Sequence, residues 1–274
     1  MKVALALTTL LAGAACNKDK TGAVAPDEAG GTDVVANEPD VPQEPDPPEI
    51  QTAVHAYLVG DFQQAIDTLT PVFEDTKERG QYRASGLAGG WLAVAHARVV
   101  FESGQGPAEH ALAMADKTKD PEVVAVAKLA AGAMLLGNDD YDAAAKAFDE
   151  AARAAPETVA GALANILRAE TRIGSAFGNA ESNAIENPRE LTAARAAYEA
   201  AAKTANSGIE TSLILGRVEE GLAAVSKYSN DKAGVCKHAF ASIEHYRAGG
   251  ANEFLIEGPS ALAFAERCDP PAGS

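Results

Sequence analysis

The 274-residue chain carries 39 acidic against 23 basic residues, a formal charge of -16, and a surface of that sign repels nucleic acid and anionic lipid headgroups. Only 5% of the residues are aromatic, and alanine and leucine recur at helical rather than alternating spacing. That pattern argues against any sheet and predicts an all-α fold. Composition changes sharply near position 49, so one elongated domain of about 220 residues is expected rather than two average ones.

Met1-Lys2 supplies a short positive start, and Val3 to Ala15 is an apolar run of thirteen residues. A bilayer-spanning helix needs roughly 20, so residues 1–15 read as an export signal rather than as part of the fold. Gly13, Ala14 and Ala15 precede Cys16, and Asn17-Lys18-Asp19-Lys20 abruptly restores polarity. This segment resembles the lipobox of bacterial lipoproteins, with Gly13 standing where leucine is commonest. The resemblance implies cleavage just before Cys16, a diacylglyceryl group on its sulfur and acylation of the new amino terminus. Asn17 after the cysteine is compatible with sorting to an outer membrane, facing the periplasm. The other reading of the same residues is an ordinary secretory signal cut near Ala15, which leaves the cysteine unmodified. The difference is large, because at about 0.8 kcal/mol per buried methylene a three-chain anchor is effectively permanent. Loss of Lys2 with the signal leaves 22 basic residues against 39 acidic, or -17.

From Asn17 to Pro48 there is no aromatic residue, and six prolines alternate with acidic side chains. No core can form from such a segment. Residues 16–48 are therefore expected to be a lipid-bearing cysteine and a disordered tether, reaching up to ~100 Å at ~3.1 Å per residue.

The clearest internal pattern is Tyr141, Ala144, Phe148, Ala151 and Pro156, preceded nine residues earlier by Gly132. It resembles the second helix of a tetratricopeptide repeat, in which small residues admit a neighbouring helix, aromatics fill the gaps between helices and proline ends the unit. Weaker copies surround it: Gly60-Asp61-Phe62 with Ala65 and Leu69; Trp91 and Ala95 with Ala108 and Ala115; Leu191, Ala194, Tyr198 and Ala201; Ala239, Ile243 and Tyr246. The recurring alanine falls at 65, 108, 144, 194 and 239, at intervals longer than the ~34 residues of the family. The resemblance implies a degenerate TPR-like α-solenoid of antiparallel helix pairs over residues 49–268. A capping helix is expected from Pro259 to Cys268, with its proline in the first turn, and residues 269–274 form a disordered tail. The alternative is a generic alanine-rich bundle.

Chemistry-bearing constellations are sparse. The five histidines show no i, i+4 zinc pair, Asp139-Asp140-Tyr141-Asp142 lacks the glycine and distal glutamate of a calcium loop, and no serine lies in a nucleophile elbow. No catalytic residue, metal or cofactor is expected. Once Cys16 is lost to lipid, Cys236 and Cys268 remain in an oxidising compartment and read as a disulfide, the alternative being a Cys/His site with His238 and His245. The insertion from Gly174 to Asn187 is a candidate binding loop, with Phe177, Asn179, Asn183 and Ile185 as its notable members.

In the tetratricopeptide family, first-helix side chains line a concave groove that accepts a peptide or helix. Carried over, the groove positions are Val54, Tyr57, Val126, Leu129, Ala133 and Leu136, all apolar or aromatic; the alternative is that a neighbouring helix covers them. These expectations describe a membrane-anchored, non-catalytic scaffold of the bacterial cell envelope, binding a protein or peptide partner and no nucleic acid. The alternatives are an accessory or regulatory subunit of a cell-wall or envelope enzyme, or a protein that captures a peptide or small ligand. In cells fed radiolabelled palmitate, the wild type is expected to incorporate label and a Cys16→Ser variant to lose it; equal labelling of the two removes the anchor.

Overall fold

The computed structural model describes residues 43–177, 184–205 and 210–270. The expected signal, Cys16, most of the tether, and residues 271–274 lie outside them. Among the described residues the chain is all-helical, with no strand and with eleven α-helices: α1 (Pro48–Val59), α2 (Phe62–Glu78), α3 (Tyr82–Val99), α4 (Gln105–Thr118), α5 (Pro121–Gly137), α6 (Tyr141–Ala154), α7 (Val159–Ala176), α8 (Pro188–Thr204), α9 (Thr211–Tyr228), α10 (Lys232–Ala248) and α11 (Glu253–Ala265). A 3-10 turn at Phe101–Gly104 leads into α4.

Helix starts follow local chemistry. Asp61, Asp120, Asp140, Asp231 and Asn252 each present a side-chain oxygen to an otherwise unpaired N–H of the first turn. Pro48, Pro121 and Pro188 open α1, α5 and α8, where their missing N–H costs nothing.

Consecutive helices pack as pairs, and the odd-numbered members form an inner set: α3 touches α1 and α5, and α7 touches α5 and α9. Two of these inner helices, α3 and α5, are apolar nearly all round. In α3 every residue from Ala84 to Ala95 is buried, as expected of a helix enclosed by others. The outer helices carry one apolar stripe each, Ala65, Ile66, Leu69 and Phe73 on α2, and Ala144, Phe148 and Ala151 on α6.

The pairs lock by an aromatic ring seated on an inner-helix glycine. Phe148 of α6 lies on Gly132 of α5, Tyr246 of α10 on Gly216 of α9, and Tyr198 of α8 on Gly221 of α9. Each of these rings is buried to within 1%. A buried ring of this size contributes about 1.5–3 kcal/mol relative to exposure, and it can sit there only because no Cβ stands between the helices.

The stack does not end in two free faces. Helix α9 returns to α1, where the Arg217 guanidinium lies 5.3 Å from the centre of the Tyr57 ring. His55 Nδ1 stands 2.9 Å from Glu210 Oε1, and the Asn252 N–H donates to the Val59 carbonyl at 3.0 Å. The inner helices thus run round until the last meets the first.

Three expected boundaries move. Helix α11 begins six residues before Pro259, because Asn252 caps it, and the proline sits inside the helix with its ring buried. Gly174 belongs to α7, which continues to Ala176. Residues 43–47, expected to be tether, are tied to the domain: the Glu44 N–H donates to Gln81 Oε1 at 2.8 Å, and Glu44 pairs with Arg79. Arg83 holds Asp46 at 3.0 Å and both Asp120 and Glu122 at 2.6 Å.

The seated rings give a direct test. A Cβ on Gly132 falls 2.4 Å from Phe148 Cε1, so Gly132→Ala sets a helix-propensity gain of roughly 0.5–1 kcal/mol against an overpacking cost of roughly 1–3 kcal/mol. The expected outcome in urea unfolding followed by circular dichroism is a net loss of about 1–2 kcal/mol; a stabilised variant would show that the helix pair does not depend on this contact.

Candidate functional site

The groove positions carried over from the repeat resemblance do not form an open groove. Tyr57, Val126, Leu129 and Ala133 are at most 9% exposed and belong to the core, while Val54 and Leu136 are partly buried against it. The reason lies in the surroundings of α5, which is enclosed by α3, α4, α6 and α7 together. Val126, for example, meets the backbone face of α3 at Gly90. On the α1 side, Tyr57 is walled in by Phe62, Trp91 and Arg217, with ring centres 5.3 Å and 6.2 Å from the two aromatics.

Part of the candidate loop does build a surface. Phe177 stands edge-on to Tyr228 of α9 at 4.9 Å between ring centres. The N–H groups of Glu186 and Asn187 both donate to the Ala176 carbonyl, at 2.9 and 3.0 Å, which draws the two ends of the connection together. Ile185 then closes one side of a cleft of about 410 Å³ between α8 and the end of α9. Its α8 wall is Pro188, Leu191, Thr192 and Arg195, one helical face at i, i+3, i+4 and i+7. The opposite wall is Val225 and Tyr228, with Ser229 and Asn230 at the rim. Asn179 and Asn183 lie outside the described residues. A volume of this order is at the lower end of ordinary ligand sites, about 300–1,000 Å³.

A second polar feature had no place in the sequence reading. Arg217 is 7% exposed, and its Nη1 has no hydrogen-bond partner among the described residues. Burial opposes its charge, but Tyr57, Tyr246 and Glu170 outweigh that and hold the guanidinium's pKa above its ordinary value. On the same helix, Glu220 accepts the Tyr246 hydroxyl at 2.7 Å. Burial pushes the Glu220 carboxyl up, against the Tyr246 hydrogen bond and the Arg217 charge. The Tyr198 and Tyr246 phenols are likewise raised well above their ordinary range, first by burial and then by neighbouring carboxylates. The cluster joins α1, α7, α8, α9 and α10 where the inner helices close, and its chemistry is that of a charged latch. The available signal was one arginine inside the apolar run Leu213 to Val218.

Cys236 and Cys268 are bonded, with Cα atoms 5.4 Å apart across a separation of 32 residues. Closing a loop of that length is worth about 2–4 kcal/mol in the chain-entropy account, and the bond fastens the end of α11 to α10. His238 pairs instead with Glu219, at 2.6 Å. Among the described residues no helix is long and apolar enough to cross a membrane.

No protein-family model matches the chain, and neither a curated relative nor a solved structure does.

Glu220 yields a pH-dependent prediction. A carboxyl held above its ordinary value near 4.5 binds more protons folded than unfolded, so its contribution to stability falls as pH rises from that value through the raised one. Glu220→Gln keeps an acceptor for Tyr246 and removes the charge. The variant is expected to melt higher than the wild type at pH 7, with the gain vanishing below about pH 4.5; a lower melting temperature at pH 7 would mean that the carboxylate is needed to balance Arg217.

Proposed function

We propose that the protein is a non-catalytic interaction scaffold of the bacterial cell envelope, held to the membrane by lipid on Cys16 and standing off it on an acidic tether. The helical part is read as a degenerate TPR-like solenoid whose partner surface is the α8/α9 cleft rather than the inner groove. The observation that carries this reading is the contrast between the two surfaces. The inner positions are filled by the protein's own side chains, whereas the cleft keeps about 410 Å³ between an apolar floor and a polar rim.

Several features support it together. The inner polar cluster is composed of an arginine, carboxylates and tyrosines already engaged with one another. The cleft lies between elements rigidly held by the seated Tyr198 and Tyr246 rings, which suits a surface that presents rather than transforms. Pinning of Glu44 and Asp46 by Arg79 and Arg83 fixes where the tether leaves the domain, so the cleft is held at a set attitude to that exit.

In-cell photo-crosslinking tests the assignment. Probes at the exposed positions 192 and 229 on the cleft are expected to trap one dominant envelope protein, and a probe at the exposed position 51 on α1 is expected not to. The same background of abundant proteins from all three positions would remove the cleft as a partner site.

A further inference from the structure

Arg195 is sheltered by the fold, as are Arg83, Arg168 and Arg172. Each of those three holds a carboxylate, Arg83 at 2.6 Å to Asp120, Arg168 to Asp149, and Arg172 at 3.1 Å to Glu190. Arg195 does not: among the described residues its side-chain contact is the neutral Ser226 hydroxyl at 3.4 Å. Arg217 likewise makes no ion pair among the described residues but is enclosed in the core, whereas Arg195 lines the cleft.

The rest of the cleft is arranged around the same charge. The positive end of the 17-residue α8 opens into it at Pro188, and the side chain of its preceding residue, Asn187, makes no capping bond there. On the other wall the last carbonyls of α9 are already engaged, because Val225, Ser226 and Lys227 accept the N–H groups of Ser229, Asp231 and Asn230 at 2.9–3.0 Å. Partly exposed Tyr228 and Ile185 lie in the same lining as the guanidinium, with the nearly buried Leu191 and Val225 behind them. The cleft therefore presents one positive group next to one apolar pocket, in a volume sufficient for a carboxylate and one or two side chains.

We propose that the α8/α9 cleft binds the C-terminal carboxylate of a peptide or protein partner, Arg195 pairing with the carboxylate and the last, apolar side chain resting on Tyr228 and Ile185, with Leu191 and Val225 behind them. This inference rests on the cleft being the partner surface. A planar guanidinium meets a carboxylate through two parallel N–H donors, which an amide cannot reproduce. Thr192 and Asn230 stand at the rim, where the peptide's last amide group would lie.

The test titrates the mature chain, with labelled Ile, Leu and Val methyl groups, against three probes: N-acetyl-Ala-Leu as the free acid, the same dipeptide as its C-terminal amide, and 4-methylvalerate. The free acid is expected to shift the signals of Ile185, Leu191 and Val225 and to bind about tenfold more tightly than the amide. That preference is expected to disappear in Arg195→Gln and to persist in Arg98→Gln, an exposed arginine elsewhere, with circular dichroism checking that both variants fold. Equal binding of acid and amide, or no shift at the cleft, overturns the carboxylate proposal; 4-methylvalerate binding as tightly as the dipeptide acid overturns its peptide part. Because crosslinking at positions 192 and 229 reads partner capture independently, a positive crosslink with a failed titration leaves the cleft reading standing and removes only the carboxylate.

Discussion

The seating of outer-helix rings on bare inner-helix backbone is the contact on which the rest of the structure depends. With so few aromatic residues and so much alanine, the helices have little side-chain volume with which to interlock, and close approach must supply the packing. Phe148 on Gly132, Tyr198 on Gly221 and Tyr246 on Gly216 set the spacing of α6 on α5 and of α8 and α10 on the two sides of α9. Alanines at 144, 194 and 239, all fully buried, let the same helices come near enough for those rings to reach.

Close pairing also shapes the interior. Inner helices brought this near one another leave no concave surface for a visitor along α5, and the final pair is carried back onto α1. The meeting point needs a polar solution, since Arg217, Glu170 and Glu220 are brought together on the side where the helices close. Buried charge of this kind is costly to strand and specific when satisfied, and it ties α9 to α1 through Tyr57. Binding, in the reading proposed for this protein, is displaced to the seam between α8 and α9, beside Ile185.

Much of the helical plan was legible from local pattern. Tyr141 to Pro156 read as one packed helix because its apolar positions match the spacing of a repeat helix, whereas the caps at Asp61, Asp120 and Asp231 were not singled out, although short-range hydrogen bonding alone decides them. Pro259 misled for the same local reason: proline favours a first turn, but Asn252 offered an earlier cap, and enclosure of the proline ring in the core outweighed one missing hydrogen bond. The groove assignment failed differently. Apolar residues at Val126 and Leu129 suit both a binding face and a core face, and only the packing of α3, α4, α6 and α7 around them separates the two.

By itself the sequence determined the helical class, the packed helix that starts at Tyr141, and the pairing available to Cys236 and Cys268. Those properties depend on side chains within a few positions of one another, on composition, or on the count of remaining thiols. The tertiary structure alone decided that the inner face is filled, that α9 closes on α1 through Arg217, and that Arg195 and Ile185 border one cleft. The first two join helices distant along the chain, and the cleft sets Ile185 and Arg195 against Val225 and Tyr228 of α9; how closely rings and glycines let those helices approach sets each meeting.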